Sequence, residues 1–468
     1  MTGPAVVEGT APLPEPAGRG SAARLPGLQD AGERLAALRR AADTPPGRLR
    51  LAGAALVALV LLFGGTAAWQ ADRRAAATDL VVGHSQPLSR DAAEIYRSLA
   101  DADTTAAGGF LLAGDEPAGL RKRYEDDLAT AAELLTRAAA RTAANSEAQH
   151  RIDELSRQLP QYAGLVETAR ADNRLGLPLG GAYLRYASGL MQNTMLPSAQ
   201  QLVAAESGRL DADFDAAAAM PAAALLLGLA ALAALGGYQV LLFRRTNRVF
   251  NPGLVAASAA VLAALLWLTV GGTVASASLT AGRTAGAEPL QVLGQARTEA
   301  LQARAAENLN LVARGASDSY GKRWQAVTGS LGGAPTPGGG RAGGGTLARA
   351  AELAPAGEAE RRLGEAAKQF AQWDSRHDAA AASDRAGDYE AALRATVAVA
   401  SDTTTEAAWA AMDRQLAAAG EAEQARFAAE TSGVAGGYEV LAAGAAVLAV
   451  LAAAGVVRGI GRRLAEYR

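Results

Sequence analysis

Four runs of apolar residues, each long enough to cross a bilayer, constrain this chain more than anything else in it. A spanning α-helix takes about 20 apolar residues. Residues 51–69, 219–243, 253–275 and 440–457 meet that length without a charged residue in their middles, and the fourth run reads back to residue 434. Cations gather at particular ends. Arg39, Arg40, Arg48 and Arg50 precede the first run, Arg244, Arg245 and Arg248 lie between the second and third, and Arg458, Arg462 and Arg463 follow the fourth. Lys and Arg collect on the cytoplasmic flanks of spans, so all three clusters are expected inside. Arg73 and Arg74, just past the first run, dissent and are outvoted. A cleaved signal peptide would need an n-region of about fifty residues, which favours an uncleaved anchor.

The rest of the chain lacks features that would place it in other classes. A formal charge of −2 over 468 residues gives no basic face for nucleic acid. With no cysteine there is neither disulfide nor thiolate metal site. Alanine, leucine, arginine and acids dominate while β-branched and aromatic residues are thin, which favours helix. The expected fold is an all-α membrane protein, with four transmembrane helices and two extracellular antiparallel helical-bundle domains from an internal duplication.

The duplication is read from paired motifs in conserved order. Gln86-Pro87-Leu88 matches Glu288-Pro289-Leu290, Gln161-Tyr162 matches Gln372-Trp373, and Asn173-Arg174-Leu175-Gly176 matches Asp384-Arg385-Ala386-Gly387. Apolar residues then recur at steps of four and three: Leu88, Ala92, Ile95, Leu99, Ala102 and Ala106, and again Ile152, Leu155, Leu159, Tyr162, Val166 and Ala169. In the second copy the latter seam becomes Leu363, Ala366, Phe370, Trp373, His377 and Ala380. That is the pattern of an antiparallel bundle. The helix entering the last span of each copy is expected to break, at Pro197 and around 401–405, the second with a Thr403/Glu406 capping box.

The expected organisation is a disordered cytoplasmic tail at 1–47 and spans at 48–69, 219–243, 253–275 and 434–457. Bundles occupy 70–218 and 276–433, the second with a mobile Gly-rich loop at 332–345. A cytoplasmic basic hinge lies at 244–252 and a cytoplasmic tail at 458–468. Residues 28–42 could instead form an amphipathic helix on a membrane surface or a partner. Small residues such as Gly228, Gly236 and Gly444 permit close packing of spans, within one chain or in a homodimer.

No catalytic motif emerges. His84, His150 and His377 lack metal-ligand spacing. His377 takes the seam position held by Val166 in the other copy, as a pH sensor or as a satisfied core or edge histidine. The glycines at 338–345 lack the Lys-Ser/Thr of a phosphate cradle and read as a linker. Asp126-Asp127 and the Asp211, Asp213, Asp215 series read as solvated helix faces. Glu439, beside Tyr438, reads as interfacial, and no deeper charge marks an ion path, which holds back an accessory transport subunit. Arg174 and Arg385 sit at helix ends whose Asn, Asp and Gly follow from turn chemistry. The two arginines are also candidates to grip a carboxylate or a partner's acidic patch. No cofactor and no enzyme activity are expected.

The stretch YRSLADADTTAAGGFLLAGDEP at 96–117 resembles the four-helix-bundle sensor domains of bacterial chemoreceptors and histidine kinases. The whole plan resembles GlnX-type membrane proteins of high-GC Gram-positive bacteria. That resemblance implies a relay from an extracellular glutamate/aspartate-binding lipoprotein to a cytoplasmic Ser/Thr kinase of the protein kinase G type. It implies no mapped site residues; Arg244, Arg245 and Arg248 are the docking candidates on the cytoplasmic side. The alternative is a structural or scaffolding protein of the cell envelope.

Overall fold

A computed structural model describes residues 45–112, 116–246, 251–283, 287–315, 317–336, 341, 343–397, 401–431 and 434–465. The expected tail helix at 28–42, and Arg248 of the basic link, lie outside them. The described chain is helical throughout, with only an isolated bridge between Pro335 and Arg341. Among the described residues four helices are long and apolar enough to cross a membrane, and the chain is an all-α membrane protein.

The first copy begins with α1 (Pro45–Leu80), which passes through a π-turn at Val81–Ser85 into α2 (Gln86–Leu111). Then come α3 (Ala118–Arg141), α4 (Glu147–Arg174), α5 (Leu179–Leu190), a second π-turn at Met191–Met195, α6 (Leu196–Ala218) and α7 (Ala222–Thr246). The second copy repeats the order: α8 (Pro252–Gly282), α9 (Glu288–Ala313), α10 (Ser319–Gly332), α11 (Gly345–Leu353), α12 (Glu358–Arg385), α13 (Tyr389–Val397), α14 (Thr405–Thr431) and α15 (Val434–Ala465). Helices α2 and α9 both have 26 residues, and α4 and α12 both have 28. Glycines split the helix corresponding to α3 into α10 and α11.

The period of the apolar residues decides what is buried. Every seam residue from Leu88 to Ala106 and from Ile152 to Ala169 is buried, as are Leu363, Ala366, Phe370, Trp373 and Ala380. Burying each large apolar side chain contributes roughly 1.5–3 kcal/mol. One core runs through both bundles, because α2 packs along α9 at the centre. Helices α4 and α12 end alike. Gly176 (φ +67°) and Gly387 (φ +86°) take the left-handed conformation that glycine adopts without steric cost. Leu177 N then bonds Asp172 O at 2.9 Å, and Asp388 N bonds Ser383 O at 3.0 Å. Each end is thus a Schellman motif.

The four long apolar helices form a second body, in which α1 packs on α7 and α15, and α8 packs on α7 and α15. Small residues set the closest approach. A Cβ on Gly253 would come within 2.5 Å of the Gly459 backbone, so α8 and α15 touch through main chain. Asn251 caps α8 and donates from Nδ2 to Gly459 O at 2.7 Å. Gly228 and Gly444 are in tight contacts, whereas Gly236 faces open space. Leu61, Leu229, Leu266 and Val450 remain more than two-fifths exposed on the outside of this body, as lipid-facing residues must.

Two local expectations need correction. Pro197 breaks nothing: the π-turn at Met191–Met195 precedes it and the helix continues to Ala218, with proline in the first turn where its missing N–H matters least. The interruption before α14 is present, but Thr404 rather than Thr403 is the cap, accepting from Ala407 N at 3.1 Å. Residues 337–340 and 342 of the expected loop at 332–345 lie outside the described residues; Arg341 is described, and its guanidinium reaches Asp374 (2.8 Å), Thr328 Oγ1 (2.7 Å) and Gly333 O (3.1 Å).

Candidate functional site

Where the bundles meet, away from the spans, α2, the start of α3 and the start of α14 enclose a cleft of about 380 Å³. This is the low end of the range for small-molecule sites, roughly 300–1,000 Å³. Each copy supplies one wall. Thr104, Thr105, Gly108, Leu120 and Arg123 come from the first, and Val397, Asp402, Thr404, Glu406 and Trp409 from the second. The N-terminus of α14 reaches this place because the chain interruption lets that helix start beside Arg123.

Arg123 is held by Asp101, with Nε to Oδ2 at 3.2 Å and Nη2 to Oδ1 at 3.0 Å. Its guanidinium lies 5.2 Å from the centre of the Trp409 ring, a cation–π contact across the two copies. Nη1 of Arg123 is left for another acceptor. The indole N–H of Trp409, a residue only 1% exposed, has no hydrogen-bond partner. Behind Asp101 lies a second buried carboxyl, Asp127, with one oxygen unpartnered. Burial, then the Asp101 carboxylate, push Asp127 well above the usual carboxylate range, against the pull of Arg97 and Arg123. Asp101 is pushed up as well, chiefly by burial.

The opposite wall rests on Arg304, which is fully buried. It binds Glu307 and the cleft residue Glu406, and donates to Thr405 Oγ1 at 2.8 Å. Glu307 in turn accepts from Trp373 Nε1 at 3.1 Å and pairs with His377 Nδ1 at 2.9 Å. Burial opposes the charge on Glu307, but the Arg304 guanidinium and the His377 and Trp373 hydrogen bonds outweigh it and hold the carboxyl at about 2. His377 also stacks on Trp324, 3.6 Å between ring centres. The histidine at a seam position is thus a satisfied, partly buried ring in a charge network. A parallel node in the first copy surrounds Asp103, which accepts from Ser188 (2.8 Å), Gln192 (3.1 Å) and Tyr162 (3.3 Å). Gln192 links it to Arg323 of the second copy at 2.6 Å.

The arginines singled out from the sequence lie elsewhere. Arg174 and Arg385 are the last residues of α4 and α12, both exposed, and Arg385 Nε bonds Ala381 O at 3.2 Å. Neither lines the cleft. Arg244 is exposed near the end of α7, with Arg245 next in that helix. Glu439 is exposed, and its neighbour Tyr438 is buried and donates to Ala217 O at 3.2 Å. The Asp211–Asp215 face is not merely solvated: Arg283 of the second copy binds Asp211 (3.0 Å) and Asp215 (2.8 Å), and Ser85 binds Asp213. Sequence reading missed Arg123, Asp101, Arg304 and Glu307. Arg123 and Asp101 are charged residues on amphipathic helices, Arg304 and Glu307 lie on a central helix buried on most sides, and only the odd acids and arginines inside α2 and α9 hinted at a polar interface.

Among the described residues no group of His, Asp and Glu is arranged to hold a metal ion. No curated protein and no solved structure matches the chain. Residues 77–215 match the model of one family, described as an actinobacterial sensor domain. The match runs from the end of α1 to α6, so it supplies one wall of the cleft and stops before the second copy. A chain with this stretch and four helices able to span a membrane fits a membrane sensor protein.

Proposed function

We propose that this protein is a non-enzymatic transmembrane signal transducer that relays the availability of extracellular glutamate or aspartate to a cytoplasmic Ser/Thr kinase. The outer bundles receive an amino-acid-binding lipoprotein, and Arg174 and Arg385 are candidate contacts for its acidic surface. The basic link with Arg244, Arg245 and Arg248 docks the kinase and holds both termini and the hinge on the cytoplasmic side.

One observation carries this reading above all: the helix from Gly47 to Leu111 is continuous. At a rise of roughly 1.5 Å per residue it is about 100 Å long, and a shift at its far end is felt in the span. The copies are also tied at both levels, by Gln302 to Tyr96 and Asn308 to Thr104 high in the bundles and by Arg283 to Asp211 low down. The test is crosslinking in cells from position 245 and from the C-terminal tail, with and without external glutamate. A kinase captured in a glutamate-dependent manner is the expected result. Partners that ignore glutamate, or no kinase at all, would overturn the relay.

A further inference from the structure

We propose that the cleft between the bundles is itself a binding site, for a small zwitterion with an apolar body such as a neutral aliphatic α-amino acid. This is an input separate from the relay through a binding protein, and it requires the cleft alone.

The chemistry of the two walls is complementary to such a molecule. On the first-copy wall Arg123 pairs with Asp101 through Nε and Nη2, which leaves Nη1, and the Trp409 ring of the other wall lies against its guanidinium. A carboxylate suits that donor best, since Arg123 keeps its Asp101 pairing through Nε and Nη2 and offers its remaining Nη1. On the other wall Asp402 carries an exposed carboxylate, and Glu406 keeps one oxygen free of the Arg304 pair. Those acceptors fit an ammonium. Between them Leu120 and Val397 give apolar surface for a branched side chain.

The same groups discriminate. A second carboxylate, as in glutamate, would be brought toward the Asp402 and Glu406 carboxylates, where like charges at close range are costly, while the nearby Arg376 is engaged through Nη1 with Asp402 O and Thr404 O at 2.8 Å. A carboxylic acid without an amine brings no cation to Asp402, and an amine without a carboxylate leaves Arg123 Nη1 without its acceptor. A phosphate would need more than one available cation.

The experiment uses the full chain in lipid nanodiscs at neutral pH without any partner, read by calorimetric titration and thermal unfolding. The probes are L-leucine and L-valine, with L-glutamate, 4-methylpentanoate and 3-methylbutylamine as the analogues that add or lack one charge. Leucine or valine is expected to bind at least about tenfold more tightly than all three analogues, the scale of one lost charge-assisted contact. Asp402→Asn, at an exposed position, should weaken binding by about the same factor while leaving the unliganded melting temperature unchanged. Arg123→Gln should weaken it too. The proposal is overturned if neither leucine nor valine binds at millimolar concentration, if glutamate binds as tightly, or if Asp402→Asn binds leucine like the unaltered protein. Loss of the kinase relay in cells would leave these outcomes untouched, so the two readings fail separately.

Discussion

Arg304 shows how much rests on single buried charges here. Removing one partner of a buried ion pair typically costs about 3–5 kcal/mol, because the other is left uncompensated. Arg304→Met strands both Glu307 and Glu406, so unfolding by denaturant should show a loss in that range. Glu307 also gives an acid signature. Its folded value of about 2 lies below the ordinary 4.5. Its contribution is therefore complete above 4.5 and is lost as pH falls toward 2. Glu307→Gln should flatten the melting temperature across that window. Asp127 has the opposite sign. Its raised value means the folded state holds a proton that the unfolded chain releases near 3.8. Stability is thus full below 3.8 and declines as pH rises toward the folded value. Asp127→Asn should remove that decline, and an unchanged slope between 3.8 and about 8 would refute the assignment. None of this was legible in the sequence except the oddity of His377. Its partner Glu307 is 70 positions away, and no local pattern connects them.

At the scale of elements the sequence was far more informative. The heptad-like seams located α2, α4 and α12 because burial follows period directly, and Gly176 and Gly387 marked the same stop in both copies. What it could not show was the fate of a proline or a glycine run, which depends on neighbours. Pro197 follows a π-turn and the helix runs on, and Arg341 reaches Asp374, a contact 33 positions apart. The Thr404 cap offers a direct check. Thr404→Ala should cost roughly 1 kcal/mol of stability by loss of its bond to Ala407 N. Hydrogen exchange should then speed up in the first turn of α14, the part that forms the cleft wall, while the end near Thr431 keeps its protection.

For the whole molecule, the copies are halves of one body. The face of α2 bearing Thr104 is covered by α9, and Tyr96 is buried with its hydroxyl on Gln302. Residues 77–215, the stretch that matches the sensor family, are therefore expected to self-associate or aggregate when produced alone. Residues 77–431, which add the second bundle, would also carry the second and third spans, so the fitting comparison is the full chain in nanodiscs, expected to be well dispersed. Size-exclusion chromatography would decide, and a stable monomer of 77–215 would contradict the shared core. The duplication was legible because repeated motifs keep their order. The mutual burial was not, since an amphipathic helix does not announce which neighbour will cover it.

The π-turn at Val81–Ser85 gives this architecture a further property. A π-turn is a helix holding one surplus residue, and its location sets the rotational phase of everything between one anchor and the next. Sliding the surplus by one turn toward the bilayer would swing the intervening side chains by about 100° while both ends stay in place. Ser85, locked to Asp213, and Val81, wholly enclosed, act as the pawl that keeps the surplus where it is.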